Sequence, residues 1–237
     1  MSLAETFAKK YAGLRSAYGT FTSTNETRED GKASGKNITI SKNLDDNDVL
    51  ELWTKHLSGQ QSLGIVPINE NNECVWGAID VDEYQLDLKQ LAIKLAKQKL
   101  PLIICRSKSG GAHIYIFLID PVPASMLQRK LRQIAAAIGY GQAEIFPKQT
   151  KLLLDRGDRG STLNMPYFGG ENSTRYAYGV EGQALTPTEF IERIEEIQIN
   201  AKTLELLEAS PLNEHHDWLD QAPPCIQHLV VQGFPQG

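Results

Sequence analysis

No run of about 18 apolar residues occurs anywhere in the chain, so no segment has the length and apolarity of a membrane-spanning helix. The opening residues Met1-Ser2-Leu3-Ala4-Glu5 carry an acid and lead into no apolar stretch, so no secretory signal is expected in them. Cysteine is scarce. Cys74, Cys105 and Cys225 are scattered without any Cys-x-x-Cys spacing, and a reduced, cytoplasmic setting is expected. Basic residues are not in excess either: 24 Lys and Arg against 29 Asp and Glu leave a net charge of −5. That argues against a histone-like DNA coat but not against a nucleic-acid enzyme, which needs only a local basic groove. Internal repeats and low-complexity tracts are absent. What is present is an ordinary globular composition, 41% hydrophobic and 22% charged, over 237 residues. The length suits one large domain or two small ones sharing a cleft.

Apolar periodicity predicts a first helix over 3–18, followed by a polar, turn-rich surface loop over 22–36 and a strand near Ile38 and Ile40. Asp45 and Asp46 open a helix carrying Val49, Leu50, Trp53 and Leu57. Strands are expected at 63–67 and 74–82, then a helix over 86–99, strands at 102–106 and 113–119, a helix over 123–138 and a short strand at 143–146. A loop at 155–160, extended segments at 162–168 and 175–180, helices near 187–197 and 200–209, and a Pro-rich linker at 210–224 complete the reading. Strands and helices mixed in this order, with hairpins, indicate an α+β fold rather than a doubly wound one.

Three short motifs carry chemistry. In Asp80-Val81-Asp82 on a strand, alternate residues share a face roughly 6.5 Å apart, so the two carboxylates project together while Ile79 and Val81 enter the core. Such a pair can hold two divalent ions for in-line phosphoryl transfer. In Arg106-Ser107-Lys108-Ser109-Gly110-Gly111-Ala112-His113, glycines permit close backbone approach, and Ser, Lys and Arg supply phosphate donors. His113 stands at the mouth of that turn, with Tyr115 and Phe117 on its face. Glu144, within Ala143-Glu144-Ile145-Phe146-Pro147-Lys148, is a single acid in a short apolar strand. Each motif alone has a bland reading: a strand end reaching solvent, a flexible turn with an exposed histidine, an edge acid. Three carboxylates on neighbouring strands would repel one another unless cations neutralise them.

The ordered set Asp-x-Asp, then Ser-Gly-Gly-x-His-hydrophobic-Tyr, then Glu in a short strand resembles motifs I to III of the archaeo-eukaryotic primase superfamily. It is similar in particular to the primase-polymerases of bacterial mobile elements, phages and plasmids. Tyr11-Ala12-Gly13-Leu14, Tyr18-Gly19-Thr20, Phe146-Pro147-Lys148-Gln149 and 160–170 support the likeness, which spans roughly residues 5–210. The resemblance implies an αβ N-terminal module packed on an RRM-like catalytic module, with the active cleft between them. It implies that Asp80, Asp82 and Glu144 are catalytic and bind Mg²⁺ or Mn²⁺, and that His113 contacts the incoming nucleotide. Arg106, Lys108, Ser109, Gly111 and Lys148 complete the expected nucleotide site. Gly111 holds a position that is usually Ser, with Ser109 or backbone N–H groups supplying the contact, and Glu144 stands where many relatives carry Asp. Expected partners are single-stranded DNA template and primer, dNTP or NTP, and a replicative helicase or other replication protein, with no membrane.

Two other functions use the same residues: a metal-dependent nuclease, and a replication-initiator module that binds DNA without catalysis. Arg156 and Arg159 are further candidates for template or triphosphate contact, and Asp155 for a substitute third ligand. His215-His216 reads as solvated linker, since adjacent residues point apart. The catalytic domain is expected over 1–210. Residues 211–237 are expected to be a linker and the start of a helical C-terminal region of a longer protein, where Cys225 could become a metal ligand.

Overall fold

The computed structural model describes residues 1–27, 33–83 and 86–212. The linker, His215-His216, Cys225 and the C-terminal start of a helix therefore lie outside the described residues. Among the described residues the chain forms two antiparallel sheets and six α-helices.

Helix α1 (Leu3–Lys10) is opened by a reciprocal capping box. Ser2 Oγ accepts from the Glu5 amide at 3.3 Å, and the Glu5 carboxylate accepts from the Ser2 amide. The helix ends at Tyr11, well short of the stretch expected from periodicity. The cause is tertiary. The Leu14 amide donates to the Val66 carbonyl at 3.0 Å, and a Cβ on Gly13 would meet that same oxygen at 2.1 Å. The chain is thus pulled off its helical path against Val66 and continues as a strand.

That strand is β1 (Ala17–Thr27), which pairs with β2 (Ala33–Ser41) from Ala17↔Ser41 to Ser23↔Gly35. The polar surface loop expected over 22–36 is therefore mostly a β-hairpin. Only 28–32 of it falls outside the described residues. Thr20, Thr22, Thr24 and Thr27 suit extended backbone through their β-branching, a signal that polarity masks. Helix α2 (Asp46–Leu57) follows its expected start, with Asp45 and Asp48 forming a second capping box. Its His56 is fully buried. The Leu63 amide donates to Nδ1 at 3.0 Å, so Nε2 carries the hydrogen donated to the Pro166 carbonyl at 2.8 Å. Burial pushes this imidazole down to about 4, so it clamps two strand segments in neutral form. Those segments precede β3 (Gly64–Ile65) and follow β8 (Leu163–Asn164), and the first sheet runs β2-β1-β3-β8.

The second sheet contains β4 (Glu73–Val81), β5 (Ile103–Arg106), β6 (Ala112–Pro123), β7 (Glu144–Phe146) and β9 (Ala177–Tyr178), in the order β7-β4-β6-β5-β9. Helix α3 (Leu88–Lys97) links β4 to β5, and α4 (Ala124–Ala137) links β6 to β7. Each linked pair is parallel and split by an antiparallel third strand. One face of the sheet is aliphatic: Ile79, Val81, Ile104, Ile114, Ile116 and Ile145 pack on Leu91 and Leu95 of α3 and Leu127, Leu131 and Ile134 of α4. The other is aromatic. Trp76, Tyr115, Phe117 and Phe146 meet Phe7, Tyr11 and Trp53, and Phe190 of α5 (Pro187–Ile197). With both faces covered, β6 reads as a continuous apolar run rather than an alternating one.

Pairing of β4 with β6 breaks register once, between Cys74↔Val122 and Trp76↔Phe117. At that break the segment before α6 (Ala201–Leu206) adds to the sheet, Ile119 N–H donating to the Ile199 carbonyl at 2.9 Å and Ile199 N–H to Phe117 at 3.1 Å.

Candidate active site

Strand register assembles the site. Asp80 is paired with His113 of β6 on one side and with Glu144 of β7 on the other. Directly opposed residues of antiparallel strands share a face, so Glu144, Asp80 and His113 form a row on the aromatic face at one end of the sheet. Asp82 lies just past the end of β4 and is exposed.

The charges along this row are unbalanced. Asp80 retains only 16% side-chain exposure. Its carboxyl is pushed up to about 7, first by burial and then by the negative charges of Asp82 and Glu144, with Lys148 opposing. His113 is not the exposed turn residue of the bland reading. Only 6% of it is accessible. Its Nε2 lies 3.4 Å from Asp80 Oδ1, and its Nδ1 lies 3.1 Å from the Tyr115 hydroxyl. Burial, and after it the charge of Arg175, hold the imidazole down at about 3. The Asp80–His113 contact therefore has ion-pair distance but joins a neutral imidazole to a carboxyl group. Glu144 is exposed and turned onto Lys148, whose Nζ is 2.5 Å from Oε2.

The glycine-rich turn closes over the end of β4. Ser107 N–H donates to the Gly111 carbonyl at 2.9 Å, and Gly110, at φ +100°, returns its N–H to Ser107 at 3.2 Å. A Cβ on Gly111 would lie 2.2 Å from the Val81 carbonyl, so no side chain fits where the turn crosses. Ser109 Oγ donates to Asp82 Oδ1 at 3.4 Å and lies 3.0 Å from Ser107 Oγ. The turn and the acids are thus in direct contact. Lys108 reaches across to the first sheet, its Nζ 2.8 Å from the Phe21 ring centroid. Arg106 falls elsewhere. It opposes Ala112 and shares the phase of Ile104, which places it on the aliphatic side, away from Asp80 and His113.

Arg159 is drawn to the hairpin, its Nε donating to Ser41 Oγ at 2.5 Å, while Asp155 and Arg156 lie in an exposed 3-10 turn. Asp80, Asp82, Glu83 and residues 139–144 line an open pocket of about 420 Å³, which none of Asp155, Arg156 and Arg159 touches. Among the described residues no three His, Cys, Asp or Glu side chains converge closely enough to hold an ion as they stand. Glu144 is paired with Lys148. The donor set itself fits a hard divalent cation: three carboxylates on adjoining chain segments, one with its pKa raised by burial and then by the charges of the other two.

Arg175 escaped the motif reading. Its guanidinium is half-buried, Nη1 is fully buried without a hydrogen-bond partner, and its charge bears on His113 and Tyr115. A lone arginine in Ser-Thr-Arg-Tyr has no local signature. Only the aromatic segments around it, Tyr167-Phe168 and Tyr176, mark it as entering the core.

A family model described as the archaeo-eukaryotic primase domain of TOTE conflict systems matches residues 4–204. The chain belongs to that family, and so is a primase-like domain of nucleotidyltransferase type. The match gives the superfamily read from the motifs and names the conflict-system family within it. No curated protein matches the chain. Among the described residues no helix is long and apolar enough to cross a membrane.

Proposed function

We propose that this domain is a template-dependent primase-polymerase that adds nucleotides to a 3′-hydroxyl with release of pyrophosphate, using single-stranded DNA as template and Mg²⁺ or Mn²⁺ as cofactor. The observation that carries the reading is the row Glu144–Asp80–His113 with the glycine-rich turn in contact with Asp82. The RRM-like form expected for the catalytic module is supported by the order β7-β4-β6-β5 with both crossover helices on one face. The expected cleft is supported by the approach of Lys108 to Phe21 beside the acids.

Asp80, Asp82 and Glu144 would hold the cations, with Glu144 rotating off Lys148. Bound there, divalent ions would neutralise the triphosphate and activate the attacking hydroxyl. A cation there would offset the burial and the neighbouring negative charges that hold the Asp80 carboxyl at about 7, and so would favour its ionised form. His113, neutral with Tyr115 against Nδ1, offers an Nε2–H that can pass from Asp80 to a phosphate oxygen. Arg175, whose charge reaches His113, has a buried guanidinium nitrogen without a hydrogen-bond partner, and Ser109 and the turn amides add donors.

The test is a primed and an unprimed template assay with Mg²⁺ or Mn²⁺, run with dNTPs and with NTPs, on wild type, Asp80→Ala and Asp82→Ala. Synthesis by wild type and its loss in both variants is expected. Near-wild-type extension by either variant would remove the carboxylates from the mechanism. Release of nucleotides from labelled DNA without dNTPs would indicate a nuclease, and DNA binding without synthesis an initiator module.

A further inference from the structure

We propose that the open pocket beside Glu144 seats the terminal nucleotide of the primer strand, with Tyr140 as the ring on which its base stacks. The inference rests on the polymerase reading above.

The first support is sidedness. Along the row Glu144–Asp80–His113, these donors lie on the His113 side: Lys108 and Ser109 in the turn joining β5 to β6, His113 on β6, and Arg175 just before β9, with Lys148 on the other. The pocket lies on the other side. It is lined by the end of β4 and by residues 139–144, and no residue of the turn enters it. An in-line displacement puts the attacking and leaving oxygens on opposite sides of the phosphorus. If pyrophosphate departs toward the turn, the 3′-hydroxyl arrives from the Glu144 side. There the structure has about 420 Å³ of open space, within the range that binds small ligands.

The second support is the wall of that space. Tyr140 is half-buried, packs partly against the aliphatic core, and has its phenol close enough to Glu83 to feel that carboxylate. Its backbone is fixed at both ends, its N–H donating to the Ala135 carbonyl at 2.7 Å and its carbonyl accepting from Ala143 at 2.9 Å. A ring held this way in the wall of an open pocket suits a base without selecting its sequence, as a primer terminus requires. Gln142, exposed on the same wall, offers an amide to the sugar or phosphate.

The experiment uses the full chain with a primer–template whose 3′-terminal primer base is 2-aminopurine, comparing wild type, Tyr140→Phe, Tyr140→Leu and Tyr140→Ala. Leucine keeps apolar packing against the core but cannot stack as an aromatic ring does, so it separates stacking from folding. Expected are quenching of 2-aminopurine by wild type and the Phe variant and its loss in the Leu and Ala variants. The KM for primer should rise roughly tenfold or more in those two, with the nucleotide KM unchanged. A rise in nucleotide KM alone would give the pocket to the incoming nucleotide and overturn the proposal. Wild-type behaviour of the Leu and Ala variants on an enzyme that does extend primers would also overturn it. If wild type extends no primer, the polymerase reading itself fails.

Discussion

Asp80 is poorly suited to its surroundings until something positive arrives. Its carboxyl rises from an ordinary 3.8 to about 7 because it is buried beside two other acids. Between those values the folded chain holds a proton that the unfolded chain has released. The stability that proton represents is complete below about pH 4 and is lost as pH climbs through 7. Asp80→Asn removes the dependence. In chelator, the variant should match wild type near pH 4 and exceed it by on the order of 2–4 kcal/mol at pH 8, measured by urea unfolding. A gap that stays constant with pH would mean the crowding is not felt. At this scale the sequence was informative where spacing encodes geometry. Asp80, Asp82, Glu144 and His113 were singled out from motif order, and the register brings Asp80, His113 and Glu144 into one row. It was silent about Arg175, whose role depends on a long-range approach to His113. It gave no parity for Arg106, because Ile103-Ile104-Cys105 before it are buried on both faces of the strand and so hide which alternate positions point at the acids.

Elements with self-contained signals were legible, and those built by a distant neighbour were not. Helices α2, α4 and α5 lie within a residue or two of their expected limits because their apolar stripes, and for α2 and α5 their caps, are local. Helix α1 ends early because Val66, remote in sequence, captures the chain at Leu14, and the hairpin of β1 and β2 was hidden by its polar composition. The glycine-rich turn is an element of the second kind. Its glycine at 111 reflects the Val81 carbonyl it must pass. Gly111→Ala should push the start of β6 away from β4, costing about 1–3 kcal/mol, an overpacking penalty. It should also weaken nucleotide binding, because His113 and Ser109 move with the strand. Thermal melting and nucleotide titration on the same variant check this. An unchanged melting temperature would mean the crossing is looser than 2.2 Å implies.

As a whole the molecule carries a net charge of −5, so any grip on DNA comes from a few placed cations rather than from a general field. With roughly three or four phosphate contacts to a single strand, the logarithm of affinity should fall against the logarithm of salt with a slope of about −2 to −3. Anisotropy titrations of a labelled oligonucleotide across salt concentrations measure it. A slope beyond about −5 would require a larger basic surface than this reading assigns. The register break between β4 and β6 has a different consequence. It sits near Cys74 and Trp76, at the end of the sheet remote from Asp80, where β6 already carries surplus residues between Phe117 and Val122. A heritable gain or loss of a residue after Ile119, past the pairing with Ile199, can be taken up as slack, leaving His113 opposite Asp80. The same change between Trp76 and Asp80 would turn the acid to the wrong side of the sheet. The gene is thus free to drift in length at one end of this strand pair and held to the letter at the other.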